Sequence, residues 1–128
     1  RTMLALRLVL TDARPTMVFD EVDAGVGGEA ARAVGSALWE LSAKHQVIVV
    51  THLAQVAAYA DVQLGVRKET WRGRTVTRVS ELRGDDRTVE LARMLSGRPG
   101  SATARRHAEE LLREAAPPEG DRRRCSSR

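Results

Sequence analysis

The stretch TMVFDEVDAGVGG, residues 16–28, places a short apolar run directly before two adjacent carboxylates and a glycine-rich segment. The run TMVFD is too short for a helix and contains Val18 and Phe19, so it predicts a buried β-strand. Asp20 and Glu21 then stand at the end of that strand, where an uncompensated charge is costly to bury. The stretch therefore predicts a strand that carries a carboxylate pair to an edge of the sheet.

A helix and a second strand are predicted after the glycines. Residues 29–44 have an apolar face at spacings of three and four, which indicates an amphipathic helix built on Ala31, Val34, Leu38 and Leu41. The run QVIVVTH, residues 46–52, is continuously apolar and β-branched, as is typical of a strand covered on both faces. Strand, helix and strand in this order predict a βαβ unit with parallel strands and a right-handed crossover.

The rest of the chain predicts a hairpin and four helices. Residues 53–60 form a short helix, and residues 61–82 form two strands joined at Arg72 and Gly73. Two helices follow, one ending at Gly97 and one beginning at a Ser101 cap. Ahead of the first strand, residues 2–10 have the pattern of an apolar helix that ends before Pro15.

Composition and charge limit the class of protein. The chain has 128 residues, 42% hydrophobic and 30% charged, as expected for one soluble globular domain. No apolar run approaches the roughly 20 residues of a membrane-spanning helix, so we expect no membrane partner. One cysteine, Cys125, excludes an internal disulfide framework and suits a cytoplasmic location.

The cationic residues are mostly arginine, and their excess is modest. Of 21 cationic side chains only Lys44 and Lys68 are lysine, and the net charge is +4. A solvated surface that follows from composition is favoured over a specific nucleic-acid surface. Residues 116–128 predict a disordered basic tail, and the absence of an initiating Met or a cap before the first helix leads us to expect a C-terminal fragment.

The two predicted strand ends bring polar residues together. Because ligands of parallel α/β sheets lie outside the carboxyl ends of the strands, Asp20-Glu21 and Thr51-His52 should meet at one edge. Nucleotide hydrolysis needs such groups. Asp20 is suited to hold Mg²⁺ directly or through water, Glu21 to orient or deprotonate the attacking water, and His52 to bond the γ-phosphate or that water.

Each of these features also has a simpler interpretation. A carboxylate pair can be a solvated strand-to-loop corner, a single histidine can be structural, and Gly25, Gly27 and Gly28 can form an ordinary tight turn. The tetrapeptide DEVD also matches the D-E-x-D box of helicases, but the next strand ends in VVTHLAQ rather than a Ser-Ala-Thr-like segment. The phosphate-binding pattern G-x-x-x-x-G-K-[ST] is absent from the chain.

Together, residues 16–28 and 47–61 resemble the C-terminal lobe of an ABC-type ATPase head of the SMC/Rad50 group. Within that group they resemble the RecN family of bacterial DNA-repair proteins. The segments VRKET and ELARMLSG and the predicted hairpin add to the resemblance, which covers about residues 1–115. It implies an α/β, P-loop NTPase-like fold with parallel strands in a βαβ arrangement, followed by a β-hairpin and C-terminal helices.

The resemblance also implies roles for single residues. Asp20 matches the Walker B aspartate, Glu21 the catalytic glutamate and His52 the switch histidine. The segment from Asp23 to Gly28 matches the nucleotide-contacting D-loop, which in this superfamily crosses a dimer interface. The helix at residues 2–10 matches the one after the Ser-Gly-Gly signature, which the chain lacks.

One position departs from the wider group. Many SMC-type heads carry an aspartate in the D-loop where this chain has Gly27, so no carboxylate can act at that position. The departure favours the RecN-like assignment, in which the loop is glycine-rich. Gln55 and Lys68 belong to the resembling stretches but receive no chemical role.

The resemblance implies that the intact protein binds ATP and Mg²⁺ between two heads. Hydrolysis would be coupled to DNA double-strand-break repair, with the Walker A loop supplied by the N-terminal part of the same head and the signature by a second head of a homodimer. DNA would be a partner of the intact protein, and the fragment alone would be inactive. The alternative is a non-catalytic basic module whose arginines bind nucleic acid.

Overall fold

The computed structural model describes residues 16–20, 25, 27–98 and 100–116. The predicted helix at residues 2–10 lies outside these ranges, as does the predicted tail at residues 116–128 except for its first residue. The elements, in chain order, are β1 (Thr16–Asp20), α1 (Gly28–Ser42), β2 (Gln46–Val50), α2 (Ala54–Ala57), β3 (Gln63–Trp71), β4 (Arg74–Leu82), α3 (Gly84–Ser96) and α4 (Ala102–Glu114).

The first three elements form the predicted βαβ unit. β1 and β2 pair in parallel, from Thr16 opposite Gln46 to Asp20 opposite Val50, and α1 connects them. Met17 and Phe19 point into a core that includes the apolar face of α1, and each is only 7% exposed. The parallel arrangement that the sequence predicts is therefore confirmed.

The prediction that β2 is covered on both faces is wrong for the described part of the chain. Val47 and Val49 pack against the α1 core, whereas Ile48 is 46% and Val50 57% exposed. Val18 of β1 lies on the same open face and is 67% exposed. The reason is that α1 covers one face of this two-stranded sheet, and no described element packs on the other.

β3 and β4 form the predicted antiparallel hairpin. Gln63 pairs with Leu82 at its base and Trp71 with Arg74 at its end. Arg72 and Gly73 connect the strands with φ values of 48° and 75°, and two consecutive positive φ values are the mark of a type I′ turn. Such a turn matches the right-handed twist of the strands, which explains the tight connection at this point.

The last two helices pack against each other and have the predicted ends. Gly97 ends α3 with φ 68°, and its N–H donates to the Arg93 carbonyl at 2.8 Å. Ser101 caps α4, because its hydroxyl accepts the Ala104 N–H at 3.3 Å. Leu91 is fully buried between the helices, together with small residues of α4.

The short helix α2 belongs to two cores. Val56 packs with the β1, β2 and α1 side chains. Ala54, Ala57 and Ala58 pack instead with the α3 and α4 side chains, such as Leu91. Because the alanines are small, this single turn fits between the sheet unit and the helical pair.

Candidate functional site

The carboxyl ends of β1 and β2 meet at one edge of the sheet. Asp20 is the last residue of β1 and lies opposite Val50, the last residue of β2. Thr51 and His52 follow Val50 directly, and the side chains of Asp20 and His52 are exposed. The predicted convergence of the two strand ends is thus confirmed. Glu21 and Asp23 lie outside the described residues, and their proposed roles stay predictions.

The glycines between β1 and α1 take conformations that side chains rarely adopt. Gly25 has φ 76° and Gly28 has φ 55°, in the left-handed region that favours glycine. Gly27 is extended and immediately precedes α1. An added Cβ at any of the three would meet no described atom within 4 Å. Backbone conformation, rather than crowding by any described residue, therefore explains Gly25 and Gly28.

The chain turns from β2 into α2 through a side-chain hydrogen bond. The Thr51 hydroxyl accepts the Leu53 N–H at 3.0 Å, an ST-type turn immediately before α2. Leu53 packs against the first core, and Val56 is buried in it one turn later. His52 is therefore held between a paired strand and an anchored helix, so that its backbone position is well defined.

Arg87 of α3 anchors the other end of α2, a role that the sequence pattern does not indicate. Its Nη2 donates to the carbonyl oxygens of Ala57, Ala58 and Ala60 at 3.3, 2.9 and 2.7 Å. Its Nε donates to Gln63 Oε1 at 3.1 Å, which adds the start of β3. A cation at a helix C-terminus is favourable for the helix dipole. A single arginine inside an amphipathic helix carries no sequence signal for such a contact.

Burial affects the charge of Arg87. Desolvation lowers the pKa of its guanidinium, and the nearby Asp61 carboxylate opposes that shift. Because an arginine stays protonated in proteins, the effect is on the energy of the charge rather than on its presence. The carbonyl acceptors replace the water that burial removes.

Glu90 is the centre of a second charged group, away from the strand ends. Hydrogen bonds from Arg93 at 2.7 and 3.0 Å lower the pKa of the Glu90 carboxyl, and Arg67 at 3.5 Å lowers it further. Burial acts in the opposite direction. Through Arg67, the group ties α3 to β3.

The strand-end residues suit a sparse metal site. Within the described ranges no cluster of three or more His, Cys, Asp or Glu side chains could hold a metal by itself. Mg²⁺ in nucleotide sites needs only one or two carboxylates, with waters and phosphate oxygens as the other ligands. The exposed carboxylate of Asp20 fits that requirement. In the same ranges, no helix has the length and apolar character to cross a membrane.

The chain has a mixed α/β fold that is similar to a solved structure of an SMC ATPase. It resembles a solved chain described under "Structural biochemistry of ATP-driven dimerization and DNA stimulated activation of SMC ATPases", with a TM-score of 0.59 and 25% identity. The match covers 74% of this chain and 59% of that one. The strand and helix content agrees with the predicted class of fold.

The sequence relatives are more specific. The chain is 54% identical over 117 residues to the DNA repair protein RecN of Streptomyces coelicolor, covering 90% of this chain and 20% of the relative. It is 57% identical to RecN of Mycobacterium leprae over 88% of the chain, and 54% identical to RecN of Deinococcus radiodurans over 88%.

These matches confirm the resemblance to RecN that the sequence motifs indicate. The chain is related in sequence to RecN over about nine-tenths of its length, and it spans about a fifth of the length of those relatives. No protein-family model matches it.

Proposed function

We propose that this chain supplies part of an ATP-binding and ATP-hydrolysing head of a RecN-like DNA-repair protein. The observation that carries the proposal is the register of β1 and β2, which ends both strands at the same level and sets Asp20 beside the Thr51-His52 segment. The relationship to RecN and the SMC-like fold support the same activity.

The residues at this edge divide the chemistry between them. Asp20 would hold Mg²⁺, directly or through water, and the bound ion would supply charge stabilisation for phosphate oxygens. Glu21 orients or deprotonates the attacking water, and His52 donates a hydrogen bond to the γ-phosphate or to that water. Phosphoryl transfer depends mainly on positioning and charge stabilisation, so these few groups account for one half of a site.

The other half comes from outside this chain. Residues 1–115 act as the C-terminal lobe of the head, and residues 116–128 act as a tail. The N-terminal part of the head supplies the phosphate-binding loop, and a second head faces the segment from Asp23 to Gly28. The solved relative is described by ATP-driven dimerization and DNA-stimulated activation, which supports a dimer of heads that interacts with DNA.

Glu21→Gln in the full-length protein tests the proposed base. We expect steady-state ATP hydrolysis to fall by 10²-fold or more, while ATP binding persists because the amide keeps the shape of the side chain. Glu29→Gln, an exposed position in the first turn of α1, is the matched control and should hydrolyse ATP normally. Normal turnover by Glu21→Gln would remove Glu21 from the mechanism.

His52→Ala tests the second group with a control from the same strand. His45 precedes β2 and His52 follows it, so the two histidines lie at opposite ends of one five-residue strand. We expect His52→Ala to lose hydrolysis by about 10²-fold and His45→Ala to keep it. An unchanged kcat for His52→Ala would make His52 structural.

A further inference from the structure

The hairpin of β3 and β4 is exposed and strongly cationic beyond its base. Gln63, Gly65 and Leu82 are buried, whereas every residue from 66 to 81 is exposed. Residues 67–78 carry five cations and a single carboxylate, a net charge of +4 that equals the charge of the whole chain. The positive excess of the molecule is thus matched by one twelve-residue segment.

The strand register places several of these cations on one face. Arg67 lies opposite Arg78, and directly opposed like charges destabilise a sheet. Each is partly compensated, Arg67 by Glu90 at 3.5 Å and Arg78 by Glu69 at 3.0 Å. A sheet face on which two arginines lie opposite each other is suited to bind an external polyanion, because the bound negative charge offsets their repulsion.

The turn end of the hairpin is less compensated. Among the residues that the structure describes, no carboxylate forms an ion pair with Arg72 or Arg74. Arg72 also has φ 48°, a conformation that favours glycine or asparagine over arginine. Arg72 therefore adopts a backbone conformation that arginine disfavours. Compared with glycine or asparagine, it places a long cationic side chain at the turn.

An aromatic side chain completes the surface. Trp71 is 49% exposed, and the Arg72 guanidinium lies 5.2 Å from the centre of its ring. Trp71 pairs with Arg74 across the strands, so the two side chains share a face. An exposed aromatic ring among cations is the combination that binds single-stranded nucleic acid, where bases stack on rings and phosphates contact cations.

We propose that the turn end of this hairpin, namely Trp71, Arg72 and Arg74 with Arg67 and Arg78 behind them, is a DNA-binding surface. The arginines contact backbone phosphates, and Trp71 stacks on an exposed base where the DNA is single-stranded. The proposal rests on the proposed function only for the choice of DNA as the polyanion. It needs neither ATP nor the residues at the strand ends.

DNA binding by the full-length protein without nucleotide tests the surface. The probe is a fluorescent 30-mer, single-stranded or duplex, titrated at several NaCl concentrations. The test variant is Arg72→Gln/Arg74→Gln. The matched control is Arg106→Gln/Arg113→Gln, which removes the same charge from exposed positions of α4. A charge-retaining variant, Arg72→Lys/Arg74→Lys, distinguishes the effect of losing positive charge from the effect of disturbing the hairpin fold.

The expected result is a selective loss in the hairpin variant. Each lost phosphate contact should reduce the slope of log K against log [salt] by about 0.7–0.9, so two contacts should reduce it by roughly 1.4–1.8. Affinity should fall by about tenfold or more, and the lysine variant should retain most of it. Trp71→Leu should weaken single-strand binding by about fivefold or more and leave duplex binding unchanged.

Three results would overturn the proposal. If the affinity and the salt slope of the Gln variant are unchanged, the hairpin does not bind DNA. If the α4 control loses as much affinity, the loss comes from the lower net charge of the protein and not from the hairpin surface. Unchanged single-strand binding by Trp71→Leu excludes the stacking role. None of these bears on the strand-end site, whose test is ATP turnover by Glu21→Gln, so the two proposals can fail separately.

Discussion

Replacing Arg87 by Met should destabilise the chain more than any other single arginine substitution in α3 or α4. The guanidinium has four acceptors within hydrogen-bond distance: three carbonyls at the end of α2, which share the two N–H groups of Nη2, and Gln63 Oε1, which accepts from Nε. A hydrogen bond to a charged group contributes about 1.5–3 kcal/mol, but four acceptors sharing one cation do not add, and removal of the half-buried charge is itself favourable. We expect a loss of about 2–3 kcal/mol.

The measurement is urea unfolding of the chain, followed by far-UV circular dichroism at pH 7. Arg113→Met is the matched control, since Arg113 is exposed on α4 and Arg and Met have similar helix propensity. A loss of 2–3 kcal/mol corresponds to a fall in Tm of roughly 10 °C for a domain of this size. Arg87→Lys should lose about half as much, because one ammonium group reaches fewer acceptors.

The reasoning would be refuted by an Arg87→Met variant within about 0.5 kcal/mol of the parent, which is the range of ordinary surface substitutions. It would also be refuted by an equal loss in Arg113→Met. Either outcome would mean that the carbonyls at the end of α2 are satisfied equally well by water.

Two further substitutions test the packing of α1 and the charged group on α3. Gly35→Ala should destabilise the chain by about 1 kcal/mol or more in the same assay, because the new Cβ would lie 2.5 Å from Tyr59 Cδ2. This steric conflict outweighs the gain in helix propensity from Gly to Ala. The control Ser36→Ala should be nearly neutral. For Glu90, hydrogen bonds from Arg93 hold the pKa below its ordinary value. Its stabilisation is therefore present at neutral pH and lost as pH falls below about 4.3. Between pH 7 and 3, Glu90→Gln should therefore lose less stability than the parent, and parallel pH profiles of the two proteins would contradict this.

The order and type of the elements follow from local sequence signals. Four such signals each act within a few residues, namely the short apolar run at residues 16–20, the three-and-four spacing in α1, the Arg72-Gly73 turn and the Ser101 cap. Such signals predict a parallel βαβ unit, a hairpin and two closing helices without knowledge of tertiary contacts. Local signals do not predict which faces of a strand are covered by other elements. One face of β2 is exposed among the described residues, because burial of a strand face depends on tertiary packing.

The candidate site was predictable to the extent that topology fixes it. Parallel strands end at the same edge, so the meeting of Asp20 with the Thr51-His52 segment follows from the order of elements alone. The support from Arg87 was not predictable, because Arg87 contacts residues about 30 positions away in the sequence. Its acceptors there are backbone carbonyls, which every residue type has, so the sequence does not mark them. The roles of Glu21 and Asp23 stay predictions.

The position of α2 in two cores has a thermodynamic consequence. A helix of four residues has no stability of its own, because an isolated helix needs about 12–15 residues to be even marginally stable. If either the sheet unit or the α3–α4 pair unfolds, α2 loses part of the packing that supports it. The core that remains then loses the side chains that α2 contributes to it. The two cores are therefore expected to melt in a single cooperative transition, in which destabilisation of one is felt by both.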